Sequence, residues 1–186
     1  WGYCFEPPTD PFFQWYFKEL AKPEEILVGE NQGSIACDLH RRPYDLSIRG
    51  LRYPVDYIVG VATHPAARMR GYAKELIRGE FHLALKEDKP FVILMPSAAS
   101  FYLPMGFGFY AHQWERSAAP ERLAALGRRA DSCRTLTRSN DWKDLASIYR
   151  EYTKKRNGWA YRDEKSWGKH IDAQLLEGYI AVTYDR

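Results

Sequence analysis

Between Tyr53 and Leu94 the spacing of apolar side chains changes twice, and this change constrains the fold more than any other feature. "YPVDYIVGVAT" is apolar on both parities, as a strand covered on both faces is. From Gly71 the period becomes helical. Ala73, Leu76, Ile77, Ala84 and Leu85 recur on one side, and Lys74, Glu75, Arg78, Lys86 and Glu87 on the other, up to the break at Pro90. "FVILMP" is again wholly apolar and predicts a central strand. With 186 residues the chain is long enough to bury a core, and this succession predicts an α/β chain with a mixed sheet.

The flanks extend the pattern. "EILVGE", the turn signal "NQG" and "SIACDLHRRPY" predict a hairpin, closed off by Gly50. After the apolar strand, "SAASFYL" predicts a short helix that Ser97 is placed to cap and that Pro104 and Gly106 end; "FGFYAHQWE" predicts a fifth strand. From Arg116 the chain turns polar and Ala-rich. "CRTLTR" then predicts a strand, "NDWKDLASIYREYTKKRN" a helix with Trp142, Leu145, Tyr149 and Tyr152 on one face, "DEKSWGKHIDAQLL" another helix, and "GYIAVTY" a strand. The expected organisation is a first domain over 1–116, a connector over 117–131 and the beginning of a second α/β unit over 132–186. An aromatic opening without Met and a closing strand with nothing after it lead us to expect a piece of a longer protein.

A hydrophobic fraction of 45% with 27% charged residues is ordinary for a globular chain. A net charge of +3 gives a nucleic-acid partner no bulk support, and "GRR" and "TKKR" add little; local arginines remain open to an anionic ligand. Cys4, Cys37 and Cys133 form no metal or redox pair and read as reduced, buried small side chains, which implies a cytoplasmic setting. No apolar run is long enough to span a membrane. His82, His112 and His170 have no ligand-spaced partners, and no metal is expected.

The chemistry concentrates at the turn. Arg68, Gly71 and Ala73 spell R-x-x-G-x-A where a strand passes into a helix. Glycine lets backbone approach a ligand, and a first helical turn presents unpaired N–H groups at a positive dipole end. Arg68, Arg70 and Lys74 add charge, so Arg68, Met69, Arg70, Gly71, Tyr72, Ala73 and Lys74 form a candidate diphosphate cradle. The same pattern also fits a solvated loop edge with a glycine cap. It lacks the glycines of a dinucleotide fingerprint and the G-K-[ST] of a P-loop.

The order hairpin, strand, R-x-x-G-x-A helix, apolar strand and short helix with a tyrosine resembles the GNAT superfamily of acyl-CoA-dependent N-acyltransferases. "VATHPAARMRGYA", "SAASFYLPMGFGFY" and the aromatic opening "YCFEPPTDPFFQWYF" are similar, more specifically, to the enhanced intracellular survival (Eis) family, whose members have tandem GNAT domains and a sterol-carrier-like C-terminal domain. The resemblance implies a GNAT fold and acetyl-CoA as cofactor. Backbone groups of Val61, Ala62 and Thr63 would pair with the pantetheine like an added strand, and Ser97 and Ala98 would lie beside the thioester. Tyr102 would be the general acid that protonates the departing thiolate. Read from its residue type alone, Tyr102 is equally a core tyrosine packed on Phe101.

The implied substrate is a small cationic amine, aminoglycoside-like or another polyamine. Glu6, Asp10, Phe12 and Trp15, with Phe13, Tyr16 and Phe17, could line an aromatic, acidic pocket for it, or could be an ordinary buried helix face. In the resembled family the base is the carboxylate at the end of the third domain, which this sequence does not include; Asp38, His40, Asp56 and His64 are local candidates. The resemblance also implies a homo-oligomer, a hexamer, with no nucleic-acid or membrane partner. The alternatives are a CoA-binding module without catalysis and an enzyme acting on lysine amines of peptides.

Overall fold

The computed structural model describes residues 1–112, 115, 117–126, 133–137 and 141–184. It divides into two compact units: residues 1–108 with 157–161, and residues 109–156 with 162–186.

The first unit is a mixed sheet. Strands β1 (Ile26–Asn31), β2 (Ser34–Ile48), β3 (Leu51–Thr63) and β4 (Val92–Leu94) lie in that order. Two tight turns set the register. Gln32–Gly33 and Arg49–Gly50 each have positive φ at both residues, the type I′ geometry that suits the twist of antiparallel strands. They bring Asn31 opposite Ser34 and Ile48 opposite Leu51. The second strand therefore runs past the expected end at Tyr44 to Ile48, because Leu46 and Ile48 have Tyr53 and Leu51 to pair with.

Helix α2 (Tyr72–Lys86) crosses over to β4, which pairs parallel to β3. Leu76 and Ile77 from α2, Cys37 and Leu39 from β2 and Ile58 from β3 form the core, edged by Val61, Tyr72, Phe81, Tyr102 and Phe107. Two assignments to this helix change. Leu85 is 75% exposed rather than on the apolar side, and Glu80, at a core-facing position, is fully buried. The apolar run around β4 is not a central strand. Only three residues pair, and the expected fifth strand does not form: residues 107–112 are not in a strand, and 113 and 114 lie outside the described residues. Phe107 packs on Phe81 and Tyr102, whereas Phe109 and Tyr110 are exposed. Helix α3 (Ala99–Tyr102) starts from Ala98 with no side-chain cap, so Ser97 does not cap it.

In front of the sheet, helix α1 (Pro11–Trp15) continues into a wider π-type turn over Tyr16–Leu20. The other edge of β2 carries β1 along its first part; near its end a two-residue strand, β6 (Trp159–Ala160), pairs with Leu46 and Ser47.

The second unit holds α4 (Pro120–Leu126), β5 (Cys133–Leu136), α5 (Trp142–Thr153), α6 (Glu164–Glu177) and β7 (Ile180–Thr183), with β5 and β7 antiparallel. The helix within the expected connector is α4; residues 127–131 of that connector lie outside the described residues. Leu136, Trp167, Ile171 and Val182 are buried. Tyr152 is exposed, under the Arg156 guanidinium, rather than on the packed face. Of the cysteines, Cys37 is buried as expected, Cys4 is half-buried and Cys133 is exposed; all three are free thiols. Among the described residues no helix is long and apolar enough to cross a membrane.

Candidate active site

Strands β3 and β4 pair only from Asp56 to Ile58. Beyond Ile58, the edge of β3 that faces β4 has no strand partner among the described residues, so the stretch holding Val61, Ala62 and Thr63 lies beside an opening between the two strands. Gly60, just before it, has φ +60°; a Cβ there would lie 1.9 Å from the Trp1 ring, so both backbone and packing require glycine. The register of β2 and β3 shifts at this point, between Asp38 and His40.

Past Thr63 the chain makes a short 3₁₀ turn at Pro65–Ala67, held by His64 Nδ1 accepting from the Ala66 N–H at 3.3 Å. Arg68, Met69 and Arg70 are then exposed, Met69 at φ +61°. Gly71 has φ +84°, and the space a Cβ would fill there is open. As the N-cap of α2 it brings no side chain to the helix end. The first backbone bond of the helix runs from the Glu75 N–H to the Gly71 carbonyl at 3.1 Å, so the N–H groups of Tyr72, Ala73 and Lys74 stand ahead of it. These residues fit a diphosphate: donors at a positive helix end, exposed cations around it and no side chain in the way. Arg68 is tethered in place, its Nε donating to the Thr63 carbonyl at 3.2 Å and its guanidinium lying over Tyr3 at 5.9 Å.

Tyr102, in α3, meets the same core that Val61 and Tyr72 edge. Phe101 and Phe107 pack edge-on to its ring, at 5.0 and 5.8 Å. Burial pushes its phenol up from the usual value, so it keeps its proton at neutral pH. Ser97 and Ala98 are exposed just ahead of α3. Thus Val61 of β3, Tyr72 of α2 and Tyr102 of α3 all edge one core cluster.

The residues considered for an amine pocket have local work. Asp10 caps α1, accepting from the N–H groups of Phe12 (2.7 Å) and Phe13 (3.3 Å), and Glu6 accepts from Trp1 Nε1 at 3.1 Å. Phe12 and Trp15 are half-buried, their rings 5.9 Å apart. Two clusters escaped the sequence. Tyr16 and His40, 24 residues apart, hydrogen-bond at 2.8 Å beneath Trp1. Arg41, Asp56, Glu80, Glu87 and Lys89 form an ion network between the sheet and the far end of α2. Nothing local announces either, because the partners meet only through strand register and helix docking.

Beyond their three paired residues β3 and β4 part, next in the chain to a helix whose first turn is open and carries exposed cations. Residues 1–110 match the family described as acetyltransferase (GNAT) domain, and the chain belongs to that family. No curated protein matches the sequence. Among solved structures, the GCN5-related N-acetyltransferase from Kribbella flavida is 18% identical, with a TM-score of 0.64, 99% of this chain covered and 48% of that one. A conserved protein of unknown function from Enterococcus faecalis V583, described as a probable N-acyltransferase, is 16% identical, with a TM-score of 0.72 and 99% and 47% covered. Eis1 from Mycobacterium abscessus is 17% identical, with a TM-score of 0.62 and 90% and 44% covered. The chain spans about half the length of these proteins, and the likeness bears on the fold.

Proposed function

We propose that the protein transfers an acetyl group from acetyl-CoA directly to a primary amine of a small cationic substrate, aminoglycoside-like or another polyamine, with Tyr102 as general acid. The observation that carries this reading is the open first turn of α2 at Gly71, beside the unpaired edge of β3, in a chain of the acetyltransferase family. Acetyl-CoA, when bound, supplies the activated acyl group. Backbone of Val61–Thr63 would align the pantetheine, residues 68–74 would hold the pyrophosphate, and Ser97 and Ala98 would flank the thioester. Tyr102, held protonated by its burial, would donate to the thiolate as it leaves. No cysteine nucleophile is required.

Within the family we assign the protein to the Eis-like branch, on the quoted motifs and the fold shared with the Mycobacterium abscessus protein. A cytoplasmic homo-oligomer, hexameric as the resemblance implies, completes the proposal.

The test is thiol release from acetyl-CoA by the full-length gene product, with a panel of aminoglycosides, polyamines and lysine peptides. We expect release that depends on the amine, and a Tyr102→Phe variant with kcat lowered about 10²- to 10⁴-fold at unchanged CoA affinity. CoA binding without release from any amine would instead mark a non-catalytic CoA-binding module.

A further inference from the structure

The transfer proposed above needs a group to take the proton that an ammonium must lose before its nitrogen can attack. The structure separates the four candidates. Asp56 is buried between Arg41 and Lys89, and His64 holds a turn through Nδ1. Asp38 and His40 instead face each other, with His40 Nε2 at 3.5 Å from Asp38 Oδ2. That oxygen is buried and has no hydrogen-bond donor, a costly state for a carboxylate. His40 is only 3% exposed, lies under the Trp1 ring and has its other nitrogen 2.8 Å from the Tyr16 hydroxyl. A carboxylate oxygen and a ring nitrogen that approach without bonding leave a gap that one proton closes.

The position of the pair fits the need. Asp38 is opposite Ala62, in the stretch of β3 assigned to the pantetheine, and His40 is opposite Val59, just before it. Between them the Trp1 ring takes the place that a side chain at Gly60 would occupy. The Asp38 side chain remains 17% exposed and so reaches solvent, where a substrate amine would arrive.

We propose that Asp38 and His40 together accept the substrate's proton: Asp38 meets the ammonium, and His40 is a positioning residue that shares the proton from behind. The step requires the tautomer in which the His40 Nδ1–H donates to the Tyr16 oxygen, 2.8 Å away, and Nε2 faces Asp38 without a proton. The ammonium's first proton passes to the Asp38 carboxylate, is shared between Oδ2 and Nε2, and leaves to solvent. The freed amine forms the C–N bond as the C–S bond breaks; Tyr102 protonates the sulfur and regains the nitrogen's second proton. The inference rests on the acetyltransferase reading. Other groups that face the pair are Arg42, Glu25 and Tyr44 around the Tyr16 hydroxyl, and the Trp1 backbone nitrogen, 3.9 Å from Asp38 Oδ1.

The test uses the full-length gene product, acetyl-CoA and whichever panel amine gives the fastest release, with kcat followed against pH. Asp38→Asn should lower kcat about 10²- to 10⁴-fold at unchanged CoA affinity. His40→Asn keeps a polar group near Tyr16 but removes the shared nitrogen, and should move the acid limb of the kcat–pH profile. Wild-type kcat and an unmoved acid limb in both variants would overturn the pair while leaving the transferase intact. A wild type without CoA binding or amine-dependent release would overturn the transferase reading, and this role with it.

Discussion

The two ends of α2 are both rich in charge, and they use it in opposite ways. At the Glu87 end, Arg41 and Lys89 are matched with carboxylates. Arg41 donates to Asp56 at 2.5 Å and to both Glu87 oxygens at 2.8 and 2.7 Å, and its Nε lies 3.1 Å from Glu80 Oε2. Lys89 reaches Asp56 at 2.8 Å and Glu87 at 2.6 Å. At the Gly71 end, Arg68, Arg70 and Lys74 surround free backbone donors and are exposed. A charge already matched inside the fold serves stability; a charge left open beside unpaired N–H groups is available to a ligand. Net charge could not distinguish the two ends.

The strongest way to break this contrast is Arg41→Ala. It leaves the Asp56 carboxylate, 1% exposed, with Lys89 as its remaining cation, and should cost about 3–5 kcal/mol in urea unfolding, the range for breaking a buried ion pair. A loss below about 1 kcal/mol would show the network to be surface-like.

The next effect is on pH dependence. Burial, helped by the neighbouring Asp56 carboxylate and opposed by Arg41, raises Glu80 from 4.5 to about 8. The folded chain therefore binds more protons than the unfolded one between these values, and this group makes stability fall as pH rises through that window. Glu87 acts in the opposite sense. Its bonds to Arg41 and Lys89 hold it down at about 2, so its contribution is present above the usual carboxylate range and is lost as pH falls toward 2. Glu80→Gln should flatten the urea midpoint between pH 5 and about 8; an unchanged slope would mean that Glu80 is ionised in the fold.

The smallest effect sharpens the comparison from the other side. Arg70→Ala should weaken CoA binding about tenfold by calorimetry, the worth of one charge-assisted bond, with the urea midpoint unmoved. Lost stability with intact binding would exchange the roles of the two ends.

How much of this was legible depends on whether the cause is local. The hairpin turn at Gln32–Gly33 and the helix from Tyr72 follow from neighbouring residues, and the structure has both. The fifth strand was misjudged because "FGFYAHQWE" alternates like a strand, while only Phe107 finds a packing partner in the first unit. Ser97 stands one residue too early to cap α3. Glu80 is the hardest case. A carboxylate on a helix reads as solvated, and its guanidinium partner lies 39 positions earlier, on β2.

The short strand β6 has a consequence for how the protein is made. Residues 157–161 belong to the first compact unit, although the segment before them, from 109 to 156, belongs to the second. Backbone bonds fasten them: the Gly158 N–H donates to the Ser47 carbonyl at 2.9 Å, the Tyr161 N–H to Asp45 at 2.8 Å, and Asn157 Oδ1 accepts from Arg49 at 2.8 Å. A ribosome must therefore synthesise residues 109–156 of the second unit before the first receives β6. An engineer seeking a single cut that releases either unit whole will not find one.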